Sequence, residues 1–301
     1  MRDFDLVVIG AGLAGLTAGM YGARYGLRTV IVDQMGSGGQ ILNAERIENF
    51  PGFPEGVAGY DLGPLVQEQA ENAGAEFILD TAESLESNGD DRVVRCGEEV
   101  LRAKAVIVAA GSTLRRLGIP GEERFTGKGV SQCATCDGPF FQGEPVCVIG
   151  GGDSAVDEAL VLTQYASEVT LYHRGEVLGA QQALLDRADA ASNLRIESGT
   201  TVEEILGDEA VSGVRLSGGA EQALRGVFVY VGLEPNTSFL RGVVDLDAAG
   251  HVVTDVLMRT SLPGVFAAGD IRQHSVAQLV TAAGDGATAA IAAFRYVRGR
   301  R

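Results

Sequence analysis

Residues 5–15 read DLVVIGAGLAG, an apolar run followed by glycines at three closely spaced positions. The apolar run predicts a short buried strand over 6–9, and the residues after the glycines predict a helix over 16–25. A glycine turn between a strand and a helix lets a pyrophosphate approach the backbone N–H groups at the helix N-terminus. We therefore predict a dinucleotide site at this turn. Its predicted binding residues are Gly10, Gly12 and Gly15.

A carboxylate follows at the place where a bound ribose would need one. The predicted strand over 29–32 completes a βαβ unit, and Asp33 comes directly after it. In dinucleotide-binding units an acidic residue here accepts hydrogen bonds from the ribose hydroxyls. Because strand, glycine turn, helix and acid occur in the required order, we favour a dinucleotide site over a glycine turn that is only structural.

The same order of elements returns in the middle of the chain. Residues 150–155 read GGGDSA, after a predicted strand over 146–149 and at the start of a predicted helix that runs to residue 165. The next predicted strand, over 169–172, is followed by His173 and Arg174 rather than by an acid. We predict a second dinucleotide site that holds its ribose differently, and the alternative is a duplicated unit without a ligand.

The chain length and the order of the elements predict two domains. A strand over 105–109, a buried strand over 264–268 and an Ala-rich helix over 277–296 need a sheet to join, and the first unit offers one. We therefore predict an α/β fold with two Rossmann-like, three-layer dinucleotide-binding domains, the second inserted into the first. The predicted bounds are 1–114 and 242–301 for the first domain and 115–241 for the inserted domain.

The charge balance argues against nucleic acid and membrane partners. The 301 residues include 24 Lys and Arg against 40 Asp and Glu, which gives a formal net charge of −16. This sign opposes contact with a phosphate backbone. No segment approaches about 18 uninterrupted apolar residues, the length of a membrane span, and no basic run offers a contact with a membrane surface. We expect a cytoplasmic protein.

Two of the four cysteines, Cys133 and Cys136, are separated by two residues and followed by Asp137. That spacing is typical of a disulfide that opens and closes during a reaction. A zinc site needs four ligands, and the remaining cysteines, Cys96 and Cys147, stand alone in the sequence, so we expect no metal. We predict that Cys133 and Cys136 are catalytic, and that Asp137 either carries a proton or caps a local turn.

Taken together, the motifs of the chain resemble those of the low-molecular-weight, bacterial-type thioredoxin reductases. The match runs along nearly the whole chain. It includes a cysteine pair placed inside the second nucleotide domain, which is specific to this family among flavoprotein disulfide reductases. The segments that carry the resemblance are CATCDG at 133–138, GGGDSA at 150–155, GGQ at 38–40, ENFPG at 48–52 and GD at 269–270.

The resemblance implies FAD in the first domain and a reduced nicotinamide at the second glycine turn. It also implies that a large domain rotation alternates nicotinamide and disulfide at the flavin, and that the protein is a homodimer. Cys136 would face the flavin, and Cys133 would attack the disulfide of a thioredoxin-like partner. The predicted FAD residues are Gly10, Gly12, Ala14, Gly15, Asp33, Gly39, Gln40, Asn49, Gly111, Gly269, Asp270, Ala277 and Gln278. The predicted nicotinamide nucleotide residues are Gly150, Gly152, Asp153, Ser154, His173 and Arg174.

Two departures from the family pattern qualify these implications. Family members that use NADPH resemble His-Arg-Arg with a further Arg four residues on, whereas residues 173–179 here read HRGEVLG. Two arginines for the 2′-phosphate are therefore absent, and NADH is expected to serve at least as well as NADPH. The family usually has Arg before the last flavin glutamine, and this chain has Ala277 there.

The leading prediction is an FAD-dependent enzyme that passes electrons from a reduced nicotinamide to a thioredoxin-like protein disulfide. Lys128 matches a basic position that related reductases present to thioredoxin. Three alternatives remain open from the sequence. A small-molecule dithiol oxidase of similar fold would pass electrons outward to oxygen, a reductase fed by ferredoxin or another flavin carrier would not need the missing arginines, and a redox sensor would cycle once without turnover.

Overall fold

A computed structural model describes residues 1–299. The chain divides into two compact units, the first formed by Met1–Thr113 with Glu234–Arg301 and the second by Leu114–Leu233. The helices are α1 (Leu13–Arg24), α2 (Gly59–Asn72), α3 (Glu122–Phe125), α4 (Ala134–Asp137), α5 (Asp153–Leu162), α6 (Gln182–Ala190) and α7 (Leu279–Gly299). The strands are β1 (Arg2–Ile9), β2 (Thr29–Asp33), β3 (Glu76–Leu79), β4 (Ala82–Asn88), β5 (Asp91–Cys96), β6 (Glu99–Val108), β7 (Ser112–Leu114), β8 (Val130–Ser131), β9 (Pro145–Gly150), β10 (Glu168–His173), β11 (Leu194–Ser198), β12 (Val202–Gly207), β13 (Val211–Leu216), β14 (Glu221–Ala223), β15 (Gly226–Tyr230), β16 (Leu233–Pro235) and β17 (Val265–Ala267).

The first unit is built on a mixed sheet in the order β3-β2-β1-β6-β5-β4, with β17 also paired to β6. Strands β3, β2, β1, β6 and β17 run parallel, and β4 and β5 add antiparallel strands at one edge. Alternate residues of β1 face opposite sides: Leu6 and Val8 pack with helices α1, α2 and α7. Val7 and Ile9 pack with the opposite layer. A strand buried on both faces explains the unbroken apolar run.

The second unit repeats this plan with a smaller sheet, in the order β11-β10-β9-β15-β8. All its pairings are parallel. Val146 and Val148 of β9 face α5 and α6. Cys147 and Ile149 face the antiparallel sheet β12-β13-β14. Helices on one side and a small sheet on the other make three layers around β9.

The second crossing of the chain lies after Leu233, whereas the sequence analysis placed it after residue 241. The backbone N–H of Asn236 donates to Gly111 O (3.0 Å), and its side-chain amide donates to Ala110 O (2.8 Å). Leu240 is buried in the core of the first unit. These contacts attach residues 234–241 to the first unit, because both their polar and their apolar groups find partners there. The two connections themselves, β7 and β16, pair with each other.

Two helices begin at different residues from those predicted. Helix α1 starts at Leu13, directly after the turn, because Gly12 serves as its N-cap. Helix α7 starts at Leu279 rather than at 277, and Ala277 has a left-handed backbone with φ of 51°. A residue in that conformation cannot belong to a right-handed helix. Among residues 1–299, no helix is long and apolar enough to cross a membrane.

Candidate active site

The first glycine turn has a glycine at each position for a separate reason. Gly10 has φ of 104°, and a Cβ built on Gly15 would overlap Gly10 O, so these two are required by the turn itself. A Cβ on Gly12 would meet nothing within 4 Å. The space above Gly12 is therefore open, and no side chain caps the first N–H groups of α1. A phosphate group fits such a turn, because free N–H donors and the positive end of the helix dipole both face it.

Asp33 lies beside this turn, at the end of β2. Its Oδ2 accepts the Ala11 N–H at 2.7 Å, and its Oδ1 accepts N–H groups of Met35 and Gly36 at 2.8 and 3.0 Å. Three backbone donors thus fix the carboxylate in place. Because a carboxylate offers about four acceptor positions, Asp33 braces the turn and retains capacity for a ligand hydroxyl.

The next predicted residues make pairwise contacts within the first unit. A Cβ on Gly39 would lie 3.5 Å from Gly12 Cα, so the backbone of Gly39 lies against the turn. The side-chain amide of Gln40 donates to Ser112 O (2.9 Å), next to Gly111. In a separate contact, the amide of Asn49 donates to Gln278 Oε1 (3.1 Å). Residues far apart in sequence are therefore brought together in pairs, as a common ligand would require.

Asp270 follows β17 in a short 3-10 turn, Gly269–Ile271. Burial raises the pKa of its carboxyl, and the hydrogen bond donated by the Ser275 hydroxyl to Oδ1 (3.0 Å) partly offsets this. The backbone carbonyl of Asp270 accepts a hydrogen bond from Ser112 Oγ at 3.1 Å. Ser112 thus connects the Gln40 and Asp270 segments, a role that the sequence analysis did not identify.

An ion pair that the sequence analysis missed holds the Asp270 turn onto α7. Arg272 Nε lies 2.6 Å from Asp285 Oδ2, which also accepts the Gly269 N–H at 3.2 Å. A Cβ on Gly269 would lie 2.9 Å from the Cβ of Ala14, so the turn packs directly onto α1. No sequence pattern identifies Asp285. Its role depends on the packing of α7 against the Asp270 turn, which only the tertiary structure shows.

The second glycine turn repeats the backbone geometry of the first. A Cβ on Gly150 would overlap Tyr230 O, whereas a Cβ on Gly152 would meet nothing within 4 Å. Helix α5 begins at Asp153, and no side chain caps its N-terminus. Ser154 is exposed on its first turn. The open space above Gly152 is therefore equivalent to that above Gly12.

The side chains around the second turn differ from those around the first. The His173 ring lies against Gly151, where a Cβ would overlap Nδ1, and its Nε2 lies 3.0 Å from Val177 O. Asp153 Oδ1 and Oδ2 accept the backbone N–H and side-chain amide of Gln181 at 2.8 and 2.6 Å. Gly179 N–H donates to Gly151 O at 2.7 Å.

These contacts tie residues 177–181 to the turn. Arg174 and Glu176, both exposed, lie on the same segment.

Cys133 and Cys136 form a disulfide, with their Cα atoms 5.3 Å apart. Cys133 precedes α4, and its Sγ accepts the Cys136 N–H at 3.1 Å, while its own N–H donates to Ser131 Oγ at 3.1 Å. Cys136 is exposed, and Cys133 and Asp137 are half-buried. The N–H donated to Cys133 stabilises negative charge on that sulfur.

The other two cysteines, Cys96 and Cys147, are both buried as free thiols. Among the described residues, no group of three or more His, Cys, Asp or Glu is arranged to hold a metal.

Three residues near the disulfide were not identified from the sequence. Glu158 of α5 accepts the Ala134 N–H through Oε2 at 2.8 Å. Tyr230, at the end of β15, is buried in the same apolar cluster as Ala134. Phe140 is 80% exposed, unusually for so large an apolar side chain. The GPFF run at 138–141 was the available signal for Phe140, but sequence alone does not say which phenylalanine faces solvent.

Comparison with known proteins agrees with this geometry. The family model of the pyridine nucleotide-disulphide oxidoreductases matches residues 4–286. The thioredoxin reductase of Listeria monocytogenes is 43% identical over 302 residues, covering 98% of this chain and 94% of the relative. The structure of Lactococcus lactis thioredoxin reductase in its FR conformation matches with a TM-score of 0.96 at 40% identity, covering 98% and 99% of the two chains. That of the T. acidophilum thioredoxin reductase matches with a TM-score of 0.93 at 36% identity, with the same coverage.

These matches confirm the resemblance to bacterial-type thioredoxin reductases and the α/β fold with two Rossmann-like domains. They also confirm the predicted class of enzyme, an FAD-dependent disulfide oxidoreductase. The chain belongs to the pyridine nucleotide-disulphide oxidoreductase family.

Proposed function

We propose that this enzyme is a thioredoxin reductase, which takes electrons from a reduced nicotinamide and delivers them to the disulfide of a thioredoxin-like protein. The observation that carries the proposal is the Cys133–Cys136 disulfide, held in the same unit as the second glycine turn. A pair closed over so short a loop exchanges readily with a dithiol. The relatives named thioredoxin reductase support the same substrate class.

The first unit would hold FAD. The open space above Gly12 accepts the pyrophosphate, and Asp33 beside it accepts the ribose hydroxyls. FAD, when bound, accepts a hydride and releases electrons in pairs to a disulfide. The chain's own residues position it. Those proposed to touch it are Gly10, Gly12, Ala14, Gly15, Asp33, Gly39, Gln40, Asn49, Gly111, Gly269, Asp270, Ala277 and Gln278.

The second glycine turn would hold the nicotinamide nucleotide. Its open space above Gly152 suits a second pyrophosphate. The carboxylate of Asp153 would repel phosphate, but two hydrogen bonds from Gln181 already occupy it. The two bonds from Gln181 thus offset part of the negative charge of Asp153 beside the site. The residues proposed to touch the nucleotide are Gly150, Gly152, Asp153, Ser154, His173 and Arg174.

The residues after β10 support NADH at least as well as NADPH. Arg174 is the one Lys or Arg in the segment 173–181, and Glu176 is exposed two positions later. A charge-assisted hydrogen bond to a 2′-phosphate is worth about 1.5 to 3 kcal/mol. The two absent arginines therefore forfeit about 10² to 10⁴ in affinity for NADPH.

The chemistry of the disulfide follows from its local contacts. Reduction breaks the S–S bond with two electrons and leaves Cys133 as thiolate and Cys136 as thiol after uptake of one proton. The Cys136 N–H stabilises the Cys133 thiolate, which attacks the partner disulfide and forms a mixed disulfide. Cys136 then displaces the partner thiol by closing the internal disulfide. Asp137, next to Cys136 in the sequence, would take the proton from that thiol and supply it to the leaving group.

Two exposed side chains of the second unit suit a protein partner. Phe140 offers an apolar contact four residues after Cys136, and Lys128 offers a positive charge five residues before Cys133. On a chain of net charge −16, one exposed lysine can orient an acidic partner without making the whole surface attractive. The homodimer and the cytoplasmic location stay predictions.

Anaerobic titration of the FAD-loaded enzyme with NADH and with NADPH tests the proposal. We expect the flavin absorbance to bleach with NADH, and subsequent addition of oxidised thioredoxin to restore it. Bleaching without reoxidation by thioredoxin would move the substrate to another disulfide, and oxygen uptake with small dithiols would favour the dithiol oxidase. No bleaching with either nucleotide would favour a ferredoxin-like donor, which the missing arginines already permit.

A further inference from the structure

The turn that carries the disulfide is held by a hydrogen bond to the carboxylate of Glu158. Glu158 Oε2 accepts the N–H of Ala134, the residue that follows Cys133, at 2.8 Å. Glu158 lies in the middle of α5, the helix that begins at the second glycine turn. One helix therefore supports both the proposed nucleotide site and the disulfide turn. The disulfide chemistry described above does not use Glu158, whose Oε2 holds the backbone of the turn.

The setting of this carboxylate is apolar. Ala134 is fully buried among Ala155, Ala159 and Phe228, and Tyr230 packs into the same cluster. Tyr230 is 6% exposed, and its hydroxyl lies beside the Glu158 carboxylate. Burial raises the pKa of this hydroxyl, and the nearby negative charge of Glu158 raises it further. The Ala134 N–H and the Tyr230 hydroxyl thus both lie beside the Glu158 carboxylate, next to the disulfide turn.

We propose that Glu158 is a positioning residue of the redox centre, which holds the disulfide turn on α5 and whose negative charge makes the Cys133/Cys136 dithiol a stronger reductant. This inference rests on the proposed function. The half-reaction is the disulfide plus two electrons and one proton giving the Cys133 thiolate and the Cys136 thiol. A carboxylate near a forming thiolate disfavours the reduced state. Glu158 and Cys133 are both half-buried, so water screens this repulsion only in part.

The direction of the effect follows from the half-reaction. A disulfide whose reduced form is stabilised is a strong oxidant, and one whose reduced form is destabilised is a strong reductant. Asp137, one residue after Cys136, adds charge of the same sign. The Cys136 N–H acts in the opposite sense on the Cys133 sulfur. The charge of Glu158 therefore opposes the effect of the Cys136 N–H and makes the pair a stronger reductant.

Glu158→Gln separates charge from attachment, because the glutamine oxygen still accepts the Ala134 N–H. The FAD-loaded variant is equilibrated with mixtures of reduced and oxidised glutathione or dithiothreitol, and the thiols are trapped by alkylation and counted by mass. We expect the equilibrium constant to shift about tenfold toward the dithiol, equivalent to about 30 mV for two electrons. Glu209→Gln, an exposed acid of the same unit, removes the same charge and should leave the constant within about twofold. An unchanged constant in Glu158→Gln overturns the role of the charge.

Glu158→Asp tests the attachment, because it keeps the charge while its shorter side chain cannot reach the Ala134 N–H. We expect its equilibrium constant to match the wild type and its kcat for disulfide reduction to fall about tenfold, with flavin reduction by the nicotinamide unchanged. Wild-type kcat in Glu158→Asp overturns the positioning role. A wild-type cysteine pair that fails to cycle between disulfide and dithiol would instead overturn the proposed function, so the two failures are distinguishable.

Discussion

The two glycine turns of this chain share a backbone and differ in the side chains around it. In each, one glycine is imposed by crowding against a neighbouring carbonyl, and another, Gly12 or Gly152, leaves open space above the helix N-terminus. After the second strand, however, Asp33 braces the first turn with three accepted N–H bonds, whereas the His173 ring covers Gly151. The two turns thus share the backbone proposed to bind a pyrophosphate, and they differ in the residue after the second strand, which we propose distinguishes the nucleotides.

The second unit also carries a group that the first unit lacks, the redox disulfide, and its removal has the largest expected effect. In Cys133→Ser the outward nucleophile is lost, so reduction of thioredoxin should fall by about three orders of magnitude or more. Reduction of the flavin by the nicotinamide should stay at the wild-type rate, because the first unit and the second turn are untouched. Stopped-flow flavin absorbance and thioredoxin turnover measure the two halves separately. Retained turnover would exchange the roles of Cys133 and Cys136.

The substitutions Gly12→Ala and Gly152→Ala, which add one methyl group to each turn, test whether the two turns bind their ligands in the same way. Gly12 and Gly152 have negative φ and open space above them, so alanine should fold normally at both positions. The added methyl would occupy phosphate space, at a cost of about 1 to 3 kcal/mol, or roughly 5- to 150-fold in affinity. Gly12→Ala should weaken FAD binding, and Gly152→Ala should raise the KM for the nicotinamide with the flavin content unchanged.

Gly15→Ala is the matched control for this pair. Its Cβ would overlap Gly10 O, so it should destabilise the fold rather than weaken ligand binding alone. Thermal unfolding of the three variants, with and without added FAD, distinguishes these outcomes. If Gly152→Ala lost FAD, the assignment of ligands to the two turns would have to be reversed.

A smaller effect is expected from restoring one arginine near the second turn. Gly179 is exposed, and a Cβ there meets only Gly151 O at 3.8 Å, whereas a Cβ on Gly175 would lie 2.7 Å from His173 Nε2. Gly179→Arg is therefore the cleaner substitution. One charge-assisted bond to a 2′-phosphate should raise kcat/KM for NADPH about tenfold and leave that for NADH within about twofold. Ser192→Arg adds the same charge to an exposed site of this unit and should change neither. An unchanged NADPH value would show that the phosphate lies elsewhere.

The features that the sequence predicts are local, and the features that it does not predict depend on tertiary contacts. Both glycine turns, the strands beside them and the Cys133/Cys136 pair were predictable, because local spacing alone determines them. Ser275, Glu158 and the Arg272–Asp285 pair were not, because each acts on a segment that only the tertiary fold brings near. The end of the inserted unit lies at Leu233 rather than at the predicted residue 241 for the same reason. The Asn236 N–H donates a hydrogen bond to Gly111 O, and a local sequence pattern cannot predict a contact between residues so far apart in the chain.

The smallest expected effect concerns Asp270, a carboxyl of the first unit whose pKa is raised by burial. An acid whose folded pKa lies above its unfolded value binds more protons when folded, so the stability of the FAD-free protein should be full below the ordinary value of 3.8 and decrease as the pH rises through the folded pKa. Asp270→Asn removes this titration and can still accept the Ser275 hydroxyl, so its stability should vary less with pH. The difference should be below about 1 kcal/mol, because Asp270 is partly exposed and water screens it.

This difference is measured by urea unfolding between pH 4 and pH 8, roughly the range from the ordinary Asp pKa upward. The exposed Asp189→Asn of the second unit is the control. Equal pH dependence in wild type and Asp270→Asn would contradict the raised pKa of the Asp270 carboxyl.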